Sequence, residues 1–414
     1  MGNRIKWLVV CRFFHGLLQF LAGTMVARTL GPVAYGTLGY AASLTALVSP
    51  VAQLGLPSIL VQELEKSPRD RDTVLGTAMG LQFLAGLACL PAVALWAWTA
   101  NPQEPQTAWV CLLYSTGLVF QAGELLQYRF HWEGKMKTAA LAGLAAGLAA
   151  TGYKLFLVAV QGNLAWFALA HMVEYGALGI LLLAAHGGKL WFSRKRAASL
   201  LKKGRYYIAA GLMLVVFHNT DRVMLTWMAG QQETGYYSAA MTCAGAAGFV
   251  YNAILDAARP EVLAAGKQRE VMLVQAYRLV LGLAVAECVA MTLLAKPVVL
   301  LLFGGDYLPA AGVLRMLVWY LVFSYMGSAR NLWILAEERH SCLWVINLVM
   351  AGGNVVLNGL LIPAFGAMGA AGASVLTQFL GNFLLGFFWK PLKENQSLLM
   401  QALGRRNNRG GNRN

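Results

Sequence analysis

The sequence predicts an all-α integral membrane protein, with about twelve transmembrane helices in two six-helix lobes related by a pseudo-two-fold along the membrane normal. Three observations carry that expectation. The 414 residues are 58% hydrophobic and only 12% charged, against about 25% charged for soluble domains. Apolar stretches of bilayer length, about 20 residues each, recur along the whole chain. Basic residues gather in alternate loops between those stretches.

Twelve candidate spans lie at about 7–28, 34–56, 74–98, 108–130, 138–160, 164–186, 205–229, 235–259, 271–295, 309–335, 341–363 and 367–389. Trp7, Trp96, Trp98, Trp109, Trp166, Trp191, Trp227 and Trp389 sit near their ends, where an interfacial aromatic belt belongs. The first apolar run contains Arg12 and His15 and continues to Arg28. It therefore reads as the first membrane helix rather than a cleavable signal.

Loop charge sets the orientation. With the N-terminus in the cytoplasm, 24 of the 33 basic residues fall on the cytoplasmic side and only Arg28 and Lys296 on the outer side. The remaining seven lie within spans. That asymmetry places both termini of a multi-pass membrane protein in the cytoplasm. It also assigns the net charge of +15 to topology and to the lipid surface, and not to nucleic-acid binding.

Residues 1–186 form the predicted N-terminal six-helix lobe and 205–389 the C-terminal one. Between them, 187–204 is a basic linker with Leu190, Trp191 and Phe192, suited to the inner leaflet. The segment 390–414 reads as a basic, disordered cytoplasmic tail. An offset of 199 aligns Gly31, Gly36 and Ala41 with Gly230, Gly235 and Ala240, at the first hairpin of each half. A duplicated six-helix unit keeps both copies facing the same way, with a cavity between the lobes.

The motifs in order resemble a known family. Ala27-Arg28-Thr29-Leu30-Gly31-Pro32 with Tyr35-Gly36 opens the match, and Gln53-Leu54-Gly55-Leu56-Pro57 closes span 2. Asp221 follows in span 7, then Gly235-Tyr236-Tyr237-Ser238-Ala239-Ala240, Arg259-Pro260-Glu261, Leu302-Phe303-Gly304 before Asp306-Tyr307, and Ala311-x-x-Leu314. The fullest match is Asn354-Val355-Val356-Leu357-Asn358-Gly359-Leu360-Leu361-Ile362-Pro363, continued by Phe365-Gly366-Ala367-Met368-Gly369-Ala370-Ala371. Together they resemble Wzx-type polysaccharide/O-antigen flippases of the multidrug/oligosaccharidyl-lipid/polysaccharide exporter superfamily. Gln62, before Glu63, departs from the basic residue relatives often carry. The resemblance implies a flippase moving a polyprenyl-diphosphate-linked oligosaccharide from the cytoplasmic to the periplasmic leaflet. It also implies membership of a surface-polysaccharide pathway, with polymerase and chain-length proteins as possible partners.

A diphosphate head group needs a hydrated, cationic path through hydrocarbon. Embedded cations are expensive, at roughly 2.5–3.5 kcal/mol each on insertion scales. Arg12, Lys154, Arg222, Arg278, Arg315 and Arg330 are the candidates to line such a path. Arg129 sits at a span end and reads as an interface anchor. Lys154, Arg222 and Arg278 lie roughly 9–11 Å from the nearer face at 1.5 Å per residue. The others lie within snorkelling reach of water. Glu174 sits near the midplane of span 6 and is too short to snorkel. It must be protonated or paired, with Lys154 the best partner, and reads as either a structural pair or a coupling carboxylate. Asp221 is expected to pair between helices while Arg222 faces the cavity. Glu124 is matched with Arg12, and Glu287 with a neighbouring cation. Asn354 and Asn358, one turn apart, suit either sugar hydroxyls or helix packing.

Other classes fit less well. No Gly-x-x-x-x-Gly-Lys-Ser/Thr loop is present for nucleotide hydrolysis. Asp70-Arg71-Asp72 reads as a solvated loop rather than a metal motif. The histidines share no ligand spacing, and the six cysteines read as reduced packing residues, so no metal or cofactor is expected. The closest rival is an ion-coupled drug or cation antiporter of the same superfamily, which would favour acidic cavity residues. A membrane glycan polymerase or ligase would need a large outer loop that this chain lacks.

Overall fold

The computed structural model describes residues 2–404 apart from 247, 249–250, 252–253, 256–258, 260–261, 263–267 and 340, and omits the side chains of 2–15, 214 and 217. Among the described residues every regular element is a helix. Eight helical stretches are long and apolar enough to cross a bilayer, and Arg194–Met213 with His218–Ala229 adds a ninth, bent by 58°.

Two of the eight each hold two spans. Gly16–Lys66 and Ser341–Phe388 are 51 and 48 residues long, more than twice the roughly 20 that one crossing needs. The first breaks at Gly31 (φ 74°, ψ 172°) and the second at Gly366 (φ 54°, ψ −131°). Both sit at positive φ, where a Cβ is strained. Span 8 starts as Gln231–Gly245 and then runs into residues outside the description. Counting each double-length stretch as two, the described residues hold eleven crossings and the start of the twelfth expected one.

The chain forms two compact units, Met1–Gly235 and Tyr236–Asn414. The first takes in span 7 together with the preceding six. Its core includes Tyr40, Leu44, Val93 and Cys111, all nearly inaccessible, and a second cluster joins Leu60, Leu75 and Leu125. In the second unit Tyr277, Phe303, Tyr307 and Trp333 are fully enclosed. Elsewhere apolar side chains point outward: Leu95, Ile180, Leu293 and Phe388 are exposed, as a hydrocarbon-facing surface requires. Trp96, Trp98, Trp109, Trp166, Trp191 and Trp227 are exposed as well, in keeping with an interfacial belt. The five cysteines with described side chains are buried and free.

The repeat seen at an offset of 199 has a structural counterpart within the first unit. Gly230 adopts φ 91°, ψ 175°, nearly the conformation of Gly31. Gly36 lies against the backbone of Gln231 and Gly235, and Gly235 against that of Pro32, each too close to admit a Cβ. The equivalent hairpins of the two halves therefore meet backbone to backbone through their aligned glycines.

Two segments differ from expectation. The linker is a loop only up to Ser193, whose Oγ accepts from the Arg196 amide at 3.5 Å and starts the helix Arg194–Ala229. Its loop half is tied to span 3, with the Ser193 amide 3.0 Å from Thr77 Oγ1. Arg194–Gly204 is thus the basic beginning of the helix that carries span 7. The tail expected to be disordered from Lys390 instead forms a helix over Lys393–Ala402. Asn395 and Leu399 are buried there, and the Asn395 amide donates to Tyr277 Oη at 2.8 Å. The hidden signal is amphipathic spacing, with Asn395, Leu398, Leu399 and Ala402 on one face. The arginines of 405–414 lie outside the described residues.

Candidate functional site

The polar centre of the first unit is built from spans 1, 5 and 6. Lys154 Nζ donates to Gln19 Oε1 at 2.7 Å, and Gln19 Nε2 donates to Glu174 Oε2 at 3.2 Å. The amide is correctly poled: its oxygen meets the cation and its NH2 the carboxylate. Lys154 and Glu174 are therefore coupled as expected, but through Gln19. Charges held in this way lower the cost of burying either group. A lone amide in span 1, Gln19 carries no charge signal in the sequence. Its place at the depth of Lys154 and Glu174 was the available clue.

Beside this triad lies a cavity of about 300 Å³ within the first unit. Its polar lining includes Thr45, Ser49, Tyr114, Gln121, Tyr175 and Asn219, with His171 among them. His171 Nδ1 is 3.1 Å from the Tyr114 carbonyl oxygen, which can only accept, so Nδ1 carries the proton in this contact. The imidazole stacks on Tyr114 at 4.6 Å and meets Tyr175 edge-on at 4.9 Å. Gly117 makes room for it, since a Cβ there would overlap the ring. Thr45 Oγ1 and Gln121 Oε1 are buried without a protein partner. Buried polar atoms of this kind call for water or a ligand. Gln19, Lys154 and Glu174 do not themselves line the cavity; Glu174 precedes the lining residue Tyr175 on the same helix.

Span 7 supplies the remaining polar groups. Asn219 Nδ2 and Thr220 Oγ1 bond back to the carbonyls of Val215 and Val216, at 3.1 and 2.5 Å. Such back-bonding favours bending, and the bend falls between Met213 and His218. Asp221 is buried. Arg222 is half-buried with its Nε enclosed and unbonded. Glu124 sits in a 3₁₀ segment, Gln121–Leu125, and accepts from Gln127 Nε2 at 3.0 Å. Its matched partner Arg12 has its side chain outside the described residues.

The cations of the second unit are placed differently. Arg330 does not snorkel: it is 4% exposed. Its guanidinium donates to the Gly381 carbonyl at 2.7 Å and to Asn382 Oδ1 at 2.8 Å. Asn382 donates in turn to Gln378. Gly381 and Asn382 lie in a π-helical turn, Leu380–Leu384, whose wider spacing frees a carbonyl. Gly327, one turn before Arg330, leaves the space that Asn382 fills. Among the described residues no carboxylate pairs with Arg330. Arg278 is on an exposed face, donating to the Gln401 carbonyl at 3.3 Å at the end of the last helix. Arg315 is exposed. Asn358 donates to Asn354 at 2.9 Å, with both buried, which fits the packing role. Glu287 accepts from Tyr251 Oη at 2.7 Å, where a cation had been expected, and Tyr251 stacks on Tyr325 at 3.6 Å.

At the end of span 4, Arg129 is held by Asp72 and by Glu133, the latter at 2.7 Å. Asp70 pairs with Arg196 at 3.0 Å. The Asp70-Arg71-Asp72 run is therefore tied to neighbouring segments by ion pairs, and not simply solvated. The Arg129 hydrogen bond, with help from Lys135, holds the Glu133 carboxyl below its ordinary range.

Long apolar helices that enclose charged side chains define a multi-pass membrane protein. The pattern of the family described as polysaccharide biosynthesis protein matches residues 2–261, and the chain belongs to that family. No curated protein matches it. Among solved structures it shares the fold of the lipid II flippase MurJ in an inward closed conformation. That likeness has a TM-score of 0.71 at 14% identity, covering 96% of this chain and 90% of MurJ. An inward-facing multidrug resistance MATE transporter of the MOP superfamily gives 0.70 at 15% identity, covering 94% and 96%. A MOP superfamily transporter from Pyrococcus furiosus, described as having a binding pocket of reversed polarity, gives 0.52 at 14% identity, covering 96% of each chain.

Proposed function

We propose that the chain is a flippase, not an enzyme. It would carry a polyprenyl-diphosphate-linked oligosaccharide from the cytoplasmic to the periplasmic leaflet of the inner membrane by alternating access of two lobes. Both termini would lie in the cytoplasm, and proteins that polymerise the glycan and set its chain length would be its pathway partners. The observation that carries the reading is the Lys154–Gln19–Glu174 triad beside a polar cavity, in a chain of the polysaccharide biosynthesis family. The cavity's hydroxyls, amides and imidazole match sugar hydroxyls. Lys154 and Arg222 supply positive charge for the diphosphate, and Glu174 holds Lys154 through Gln19 until a stronger anion competes.

A second reading keeps the fold and changes the cargo. In an ion-coupled antiporter for drugs or cations, Glu174 would be the exchanging carboxylate. Its partly buried place within a span and the likeness to multidrug transporters favour that option. Reconstitution separates the two. Proteoliposomes holding a fluorescent polyprenyl-diphosphate glycan should show protein-dependent loss of leaflet asymmetry. Uptake of a small organic cation with no movement of the glycan would instead establish the antiporter.

A further inference from the structure

A second cavity, of about 620 Å³, opens where the helix Leu56–Lys66 meets the start of Arg194–Ala229. Lys66, Lys202, Lys203 and Arg205 line it, and Glu63 is its only acid. Two features show that it is built and not a chance of surface charge. Gly55 and Gly204 touch backbone to backbone, each too close to admit a Cβ, which fixes how near the helices approach. Glu63 is buried at 6% exposure and takes Lys203 Nζ at 2.6 Å, so the single acid is spent on a single cation. Among the described residues Lys66, Lys202 and Arg205 have no carboxylate. Arg205 is steered by Tyr206, donating to its hydroxyl at 2.6 Å with the guanidinium 4.7 Å from the ring centre.

The surroundings define the depth. Tyr206 and Tyr207 are exposed on the cavity rim, and Trp191 and Phe192 are exposed just before the helix begins. Such aromatic side chains gather at the plane of lipid head groups. Three uncompensated cations at that plane form a receptor for a multiply charged phosphate group whose apolar tail stays in the bilayer.

We propose that this groove binds the phosphate-bearing head group of a membrane lipid. That chemistry has two sources, a diphosphate-linked isoprenoid carrier and an anionic glycerophospholipid. The proposal is independent of the flippase reading, because a bound phospholipid needs no transport.

The test uses the full chain, delipidated in neutral detergent, with native mass spectrometry counting bound lipid. The probes are undecaprenyl diphosphate, phosphatidylglycerol, phosphatidylcholine and inorganic diphosphate. The variant Lys66→Gln/Lys202→Gln/Arg205→Gln spares the Glu63–Lys203 pair. Lys135→Gln/Lys137→Gln/Lys189→Gln is a charge-matched control, and size exclusion verifies folding of both. The expected result is a tenfold or greater loss of affinity for one or both anionic lipids in the first variant only. Loss for undecaprenyl diphosphate alone identifies the isoprenoid source, and loss for both lipids identifies a general phospholipid site. Equal lipid affinities in wild type and variant overturn the proposal. So does an equal loss in the control, or binding of inorganic diphosphate as tight as that of the lipids.

Discussion

Lys154 in the first unit and Arg330 in the second are both cations embedded in apolar spans, and the fold gives them opposite surroundings. Lys154 reaches a carboxylate through an amide, beside a polar cavity. Arg330 is locked against a carbonyl and an amide in a π-helical turn. The difference lies in the partners. An ammonium linked to Glu174 through Gln19 can trade one anion for another. A planar guanidinium that fills the acceptors of a distorted helix is a strut. On the proposed reading, the partners separate a cation held for transport from one held as architecture.

That contrast is open to mutation. The largest effect should come from Arg330→Met, which strands the Gly381 carbonyl and the Asn382 side chain in a dry interior. Each abandoned polar group costs about 1–3 kcal/mol, so thermal unfolding in detergent should show a large drop in midpoint. Arg330→Lys should recover only part of it, since one ammonium cannot copy the forked contact. Next, Glu174→Gln should leave the unfolding midpoint nearly unchanged and reduce glycan flipping at least tenfold. Normal transport by this variant would reduce the triad to packing.

A smaller loss is expected at the hairpin contact. Gly36→Ala puts a methyl into the Gln231 and Gly235 backbone, and overpacking of this kind typically costs about 1–3 kcal/mol. Hydrogen exchange of the hairpin amides should rise, whereas Gly16→Ala, at a site with open space, should change nothing. The smallest effect concerns Glu133. Its carboxyl is held below the ordinary value of 4.5, first by the Arg129 hydrogen bond. A lowered folded value gives stability that is present above pH 4.5 and lost as the pH falls through the lowered value. Glu133→Gln should flatten that acid limb slightly and leave neutral stability almost unaltered. The group is only partly enclosed and solvent screens it.

The membrane class, the span count and the repeat were legible because each is written in local composition. Hydropathy locates spans, and the two glycines at an offset of 199, Gly31 and Gly230, share one unusual backbone conformation. The site was legible only in part. Lys154 and Glu174 stand out as charges, whereas Gln19, His171 and Thr45 become a site only when spans 1, 2, 5 and 6 converge. Arg278 and Arg330 misled for the same reason. Depth along a helix is readable from sequence, but the direction a side chain faces is set by neighbours far away in the chain. The helix at Lys393–Ala402 was hidden by its polar composition, since its buried face contains Asn395 and Gln396.

The most direct test compares Lys154→Gln with Arg330→Met in one flipping assay, with rates normalised to the folded fraction in each proteoliposome preparation. Lys154→Gln should fold as wild type does and flip the polyprenyl-diphosphate glycan at least tenfold more slowly. Arg330→Met should yield little folded protein, with the surviving molecules flipping at nearly the wild-type rate. A normal rate per folded molecule for Lys154→Gln, together with a collapsed rate for folded Arg330→Met, would contradict the assignment of transport to the first and architecture to the second.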